Sequence, residues 1–210
     1  MIYLDSGAAY SLDKLPLGGH SIISTMIPDL YPALLLDRDG VLIENREEYV
    51  LSWADVEIYP GALEALARAG RSPYKIVIVT NQSAIGRGLI SLQKAEEINQ
   101  QLLKKIEAVG GRVDGVFMCP HAPEEGCTCR KPQPGLLFQA AQALSLDLSR
   151  SILIGDALSD IRAAQAAGIP QTILVRTGRG KSQALKAEAE HLKPFLVYDT
   201  LAVALADLIT

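Results

Sequence analysis

Apolar residues gather into short runs along the chain, separated by stretches of helical period. Ala33 to Asp37 (ALLLD) is an apolar run ending in acid, which predicts a buried parallel strand. Pro60 and Gly61 open a helix over 62–68 (ALEALAR) that stops at Gly70. Residues 75–80 (KIVIVT), rich in β-branched side chains, predict a second strand. Ser91 stands where it can cap a long amphipathic helix over 92–109, ended by Gly110 and Gly111. The same reading predicts strands over 114–118, 151–155 and 172–175, with helices over 136–144 and 159–167 between them. Residues 195–198 offer a sixth strand before a C-terminal helix over 200–208. Strand and helix alternate throughout, which predicts a doubly wound α/β fold around a parallel sheet. Ligands of such sheets sit beyond the carboxyl ends of the strands. Polar residues accumulate at those ends: Asp37 and Asp39, Thr80 and Asn81, Cys119 and His121, and Asp156.

Residues 1–31 lack this regularity. Pro16, Gly18, Gly19 and Pro28 punctuate them, so they read as a loosely ordered extension, or as sequence upstream of an alternative start at Met26. Residues 32–210 are then the folded domain. Of the 210 residues, 49% are hydrophobic and 21% charged, enough apolar material for one sizeable core. A net charge of −4, aromatics at 5% and no Lys/Arg run of five leave no footprint for nucleic acid. No apolar stretch approaches the ~18–20 residues that span a bilayer, and the N-terminus lacks a basic signal region. A cytoplasmic protein is expected. No large insert separates the polar strand ends, which predicts a monomer with an open site.

Asp37 and Asp39 sit at i and i+2 as a strand runs out, where both can face one side. Unneutralised, they would repel, and one would take up a proton; a divalent cation removes that problem. Asp156 follows another apolar strand and can approach the same pocket. Mg²⁺ takes oxygen ligands in an octahedron and keeps several waters, so Asp37, a main-chain carbonyl near Asp39, Asp156 and waters would suit it. With ligand bonds of ~2.0–2.1 Å, a shared ion requires the Asp37 and Asp156 carboxylates to lie within about 7 Å. Asp160, four residues on, reads as a neighbour of the ion or as a helix N-terminal acid. Thr80, Asn81 and Lys131 supply donors for phosphoryl oxygens.

The three cysteines all lie between positions 119 and 129, too close together for a disulfide framework. Cys119, His121, Cys127 and Cys129 present three thiolates and an imidazole, the ligand set of a closed tetrahedral Zn²⁺ site. With no position left open, its role would be structural: holding a loop, and Arg130 and Lys131 directly after it, over the active site.

The ordered set Asp-x-Asp, Thr, Lys and Gly-Asp-x-x-x-Asp, at Asp37 to Asp39, Thr80, Lys131 and Gly155 to Asp160, resembles the four signature motifs of the haloacid dehalogenase-like phosphatases. The likeness covers roughly residues 32–178. It implies a magnesium-dependent phosphatase with Asp37 as nucleophile and Asp39 as general acid, later the base that activates water. Thr80 and Lys131 would stabilise the transferring phosphoryl group, and Mg²⁺ would bridge Asp37 and phosphate. The CPH…CxCRKP stretch is similar to the zinc-loop subgroup, the D-glycero-D-manno-heptose 1,7-bisphosphate and histidinol-phosphate phosphatases. Residues 80–88 (TNQSAIGRG) and 174–178 (LVRTG) look like the heptose enzymes. The implied substrate is a compact sugar phosphate, contacted by Asp37, Arg38, Asp39, Thr80, Asn81, Gln82, Ser83, Arg130, Lys131 and Tyr49. Histidinol phosphate is the alternative; a nucleic-acid 3′-phosphatase and a non-catalytic phospholigand-binding protein are weaker ones. The chain departs from the heptose enzymes at Ala157, where they carry Lys, in the acidic loop 44–50 (ENREEYV), and in its N-terminal thirty residues.

Overall fold

A computed structural model describes residues 29–192 and 194–209. The expectation for residues 1–28 therefore lies outside the described residues. Tyr31 is already tied to the domain, its N–H bonding the carbonyl of Ser145 and its carbonyl accepting from Asp147.

Six strands form one parallel sheet: β1 (Ala33–Leu36), β2 (Lys75–Asn81), β3 (Gly115–Cys119), β4 (Ile152–Gly155), β5 (Gln171–Val175) and β6 (Leu196–Tyr198). Their order is β3-β2-β1-β4-β5-β6. The helices are α1 (Ala62–Ala69), α2 (Ser83–Gly86), α3 (Leu92–Ala108), α4 (Gly135–Leu144), α5 (Leu158–Ala166), α6 (Gly180–Ala184), α7 (Ala187–His191) and α8 (Leu201–Leu208). All six strands and the longer helices match the periodicity. The helices α2, α6 and α7 were not expected: at four or five residues they are too short to show a period.

Period-two alternation assigns each strand residue to one face. Leu34, Leu36, Ile76, Ile78, Ile152, Ile154, Ile173 and Val175 pack against Leu66 of α1, Ile98, Leu102 and Ile106 of α3, and Leu201 and Leu205 of α8. Ala33, Leu35, Val77, Val79 and Leu153 point the other way, onto Leu136, Leu137 and Ala140 of α4 and Ala163 and Ala164 of α5. Buried on both faces, β1 is apolar along its whole length, which is why it reads as a continuous run. Local chemistry marks the ends of α3. The Ser91 hydroxyl accepts from the Lys94 N–H at 3.1 Å. Gly110 (φ +79°) closes the helix, with the Gly110 and Gly111 N–H groups returning to the carbonyls of Glu107 and Ile106.

Successive strands run outward in one direction from β1 to β3 and in the other from β4 to β6. The order therefore reverses between β1 and β4, and the crevice at their carboxyl ends is where such sheets bind ligands. Among the described residues no helix is long and apolar enough to cross a membrane.

Candidate active site

β1 and β4 end side by side at that crevice, and Asp37 and Asp156 are the first residues beyond them. The Asp37 N–H still bonds the Ile154 carbonyl at 2.9 Å, holding the two strand ends in register. Carboxylate oxygens of Asp37, Asp156 and Asp160 all lie within 4.8 Å of one another, well inside the reach of a shared ion. Gly40 (φ +85°) turns the chain directly above them, and a Cβ there would fall 2.1 Å from Oδ2 of Asp156. Only glycine permits both that backbone conformation and that approach.

Lys131 reaches this group from the far side of the sheet end. Its ammonium lies 3.2 Å from Oδ1 of Asp37 and 2.6 Å from Oδ1 of Asp160, and donates to the Val79 carbonyl at 2.8 Å. The other oxygen of Asp160 accepts the Ala157 N–H at the start of α5, so Asp160 both caps that helix and anchors the lysine. Burial pushes Asp37 up to about 6, against the pull of Lys131 and with help from Asp160 and Asp39. Burial also raises Asp156, opposed by hydrogen bonds from Arg179. For Lys131, burial disfavours the ammonium, but Asp160 and Asp37 outweigh it and raise its pKa. Lys131 pairs with Asp37 and Asp160 and the Arg179 guanidinium with Asp156, so three clustered carboxylates meet two cations and an excess of negative charge remains. A divalent cation with oxygen preference fits that donor set.

Asp39 stands outside that carboxylate group, so any contribution to an ion falls to its main chain. Its carboxylate accepts from Gln82 Nε2 at 2.7 Å, from the Thr80 hydroxyl at 3.4 Å and from the Arg38 guanidinium at 3.1 Å. Arg38, expected at the substrate, is 1% exposed, bonds Asn99 of α3 at 2.8 Å and turns its fork onto Asp39, so it braces that carboxylate from behind and is not among the residues that line the cavity. Asn81 clamps the Lys131 backbone, donating to its carbonyl at 3.0 Å and accepting its N–H at 3.1 Å. Its neighbours Gln82 and Ser83 open α2.

Asp37, Asp39, Thr80, Asn81, Gln82, Ser83, Lys131, Arg130 and Tyr49 line one cavity of about 450 Å³. Tyr49 does so from a left-handed backbone conformation (φ 67°) that non-glycine residues rarely adopt. Arg46, Arg87 and Arg179 line it too, so a chain that is acidic as a whole gathers five cations around one hole. Arg179 was not singled out in the sequence. It follows the β5 end, in the loop that Thr177 ties to the Gly40 carbonyl and Gly178 to the Tyr59 hydroxyl. The rule that drew attention to the ends of β1, β2 and β4 applies equally to β5.

Beside the cavity, the Cys119, His121, Cys127 and Cys129 donors close into one cluster. Sγ of Cys129 lies 3.2 Å from Sγ of Cys119, 3.4 Å from Sγ of Cys127 and 3.4 Å from Nδ1 of His121, while Cys119 is 3.6 Å from both Cys127 and His121. A tetrahedral ion with bonds of ~2.3 Å would set edges of about 3.7 Å, close to these values. Burial pushes the Cys119 thiol up, so the thiolate that a metal needs is disfavoured there unless a cation compensates its charge. The cluster can hold a metal. Immediately after it, Arg130 bonds the His121 carbonyl at 3.2 Å, so the loop and the cavity wall are one piece.

The HAD-hydrolase-like family model matches residues 128–204. A D-glycero-beta-D-manno-heptose-1,7-bisphosphate 7-phosphatase of Bordetella bronchiseptica is 38% identical over 148 residues, 70% of this chain and 82% of that protein. The enzyme of that name from Pseudomonas aeruginosa is 35% identical over 176 residues, covering 84% of this chain and 97% of its own. The crystal structure of the D,D-heptose 1,7-bisphosphate phosphatase from B. bronchiseptica, complexed with magnesium and phosphate, superposes with a TM-score of 0.78 at 35% identity, over 84% of this chain and 97% of that one. By this identity and coverage the chain belongs to the D-glycero-β-D-manno-heptose-1,7-bisphosphate 7-phosphatase family of HAD-like hydrolases, and is a phosphoric monoester hydrolase.

Proposed function

We propose that the protein removes the 7-phosphate of D-glycero-D-manno-heptose 1,7-bisphosphate by way of a phosphorylated Asp37. The observation that carries this reading is the meeting of Asp37, Asp156 and Lys131 at the β1/β4 switch point, in a cavity ringed by cations. The relatives' names supply the substrate; the cavity of about 450 Å³ suits a compact, doubly phosphorylated sugar.

In the first half-reaction a carboxylate oxygen of Asp37 attacks phosphorus while the ester P–O bond breaks. The leaving sugar oxygen takes a proton from Asp39, a residue that Gln82, Thr80 and Arg38 hold at the cavity edge. In the second, Asp39 takes a proton from water as that water attacks the phosphorus, releasing inorganic phosphate and restoring Asp37. Splitting one hydrolysis into two displacements means that the step performed by water expels a carboxylate, a better leaving group than the sugar alkoxide. Lys131 and Thr80 bear the charge of the phosphoryl oxygens, and most of the remaining gain is positioning. Mg²⁺ held by Asp37, Asp156 and the Asp39 main chain would screen the repulsion between carboxylate and phosphate.

The cysteine–histidine cluster is read as a structural Zn²⁺ site, supported by its near-tetrahedral spacing and its closed donor set. The test is phosphate release from the heptose bisphosphate and from histidinol phosphate, side by side, with Mg²⁺. A clear preference for histidinol phosphate would overturn the substrate. Absence of Mg²⁺-dependent release from either, and from a generic aryl phosphate, would overturn the enzyme.

A further inference from the structure

Asp156 is fully buried, yet among the described residues its carboxylate accepts hydrogen bonds from one alone. Arg179 donates its backbone N–H to Oδ2 at 2.8 Å, its Nε to Oδ2 at 3.3 Å and its Nη2 to Oδ1 at 3.0 Å. Among the described residues, no other cation forms an ion pair with this carboxylate. Its chain neighbour Ala157 carries no charge. The backbone closes in on Oδ2 from two sides: a Cβ at Gly40 would lie 2.1 Å from it, and one at Gly178 2.4 Å. That leaves Oδ1 as the oxygen with room for an ion, and it is the one that Nη2 occupies.

A doubly charged ion and a guanidinium repel strongly when both sit on one carboxylate oxygen in a poorly hydrated site. One must give way. Lys131 cannot, since it is locked between Asp37, Asp160 and the Val79 carbonyl with its side chain 1% exposed. The Arg179 side chain is 49% exposed and already lines the cavity. Its backbone N–H can stay on Oδ2 while the guanidinium swings into the space where a phosphate ester would lie.

We propose that Arg179 is a displaceable counter-ion: its guanidinium holds Asp156 while no divalent cation is bound, leaves as the ion arrives, and then positions the substrate by its phosphate. This deepens the phosphatase reading and rests on it. Ion loading and substrate capture become linked, with the ion first. A site available for only a fraction of the time binds its ion more weakly by that fraction.

The experiment is titration of the full chain with Mn²⁺ followed by electron paramagnetic resonance, without substrate and with one equivalent of zinc present. Arg179→Ala should bind Mn²⁺ about five- to tenfold more tightly than the parent, with Arg179→Lys in between. The same Arg179→Ala chain should show a KM for the sugar bisphosphate raised about tenfold, with kcat changed less than about threefold. Unchanged or weaker Mn²⁺ binding would overturn the proposal, because the arginine would then be organising Asp156 for the ion. An unchanged KM would overturn its substrate half. Thermal unfolding checks that the variant is folded, and Arg179→Gln replaces it if it is not. Asp156→Asn distinguishes the two levels of inference: if it bound Mn²⁺ as tightly as the parent, the ion site itself would be misassigned.

Discussion

Asp37 and Lys131 are opposite partners of one buried pair, and their substitution should separate chemistry from stability. Asp37→Asn removes the nucleophile and should reduce phosphate release more than a hundredfold. It also removes a carboxylate that burial disfavours, so urea unfolding should find the variant no less stable than the ion-free parent. Lys131→Met should abolish turnover as well, but it leaves Asp37 and Asp160 buried without their ammonium and should cost about 3–5 kcal/mol. Equal stability of the two variants would contradict this account of the pair. At this scale much was legible. Asp37, Thr80 and Asp156 stand at the ends of apolar runs, where the chain itself announces them, and Lys131 is marked by the motif that follows the cysteine loop. The placement of Arg38 was not legible: its neighbours in sequence face the cavity, whereas its own side chain crosses to Asn99, 61 residues away.

Among the elements, α3 and the entry to β2 carry the clearest local signals. Ser91→Ala removes one cap hydrogen bond and should cost about 1 kcal/mol, lowering Tm by roughly 2–4 °C in a chain of this size. Asp114 joins β2 to the turn before β3: its carboxylate accepts the Ile76 N–H at 2.8 Å and pairs with Lys75 and Arg112, each at 3.1 Å. Although partial burial raises its pKa, the Ile76 N–H and the two cations outweigh that and hold it below the ordinary carboxylate range. A depressed folded-state pKa contributes stability above the unfolded value, near 4, and loses it as pH falls through the folded one. Asp114→Asn should therefore cost about 1–2 kcal/mol at neutral pH and less and less below pH ~4, which denaturation at a series of pH values would reveal. Strands and long helices were readable because burial imposes a period of two or 3.6 over many residues. The helices α2, α6 and α7, at four or five residues each, are too short to carry such a signature.

On the scale of the whole molecule, the two proposed metal sites share one wall, through Arg130 and Lys131. A mild chelator should abolish turnover in a way that added Mg²⁺ reverses. Extracting zinc, or introducing Cys129→Ser, should release about one zinc per chain and give a loss that Mg²⁺ alone does not restore. Elemental analysis before and after each treatment checks both; a zinc-free chain of full activity would remove the structural role assigned to the cluster.

From the sequence alone come the alternation of strand and helix, the burial of both sheet faces and the identity of most groups around the cavity, since each depends on neighbours close in the chain. The spatial order of strands depends on which edges pair, and local pattern does not encode that. Only the tertiary structure places β4 beside β1, and thereby Asp156 beside Asp37, 119 positions apart. Only it lays the loop after β5 across that pair, where the close approach of Gly40 and Gly178 delivers Arg179 to Asp156.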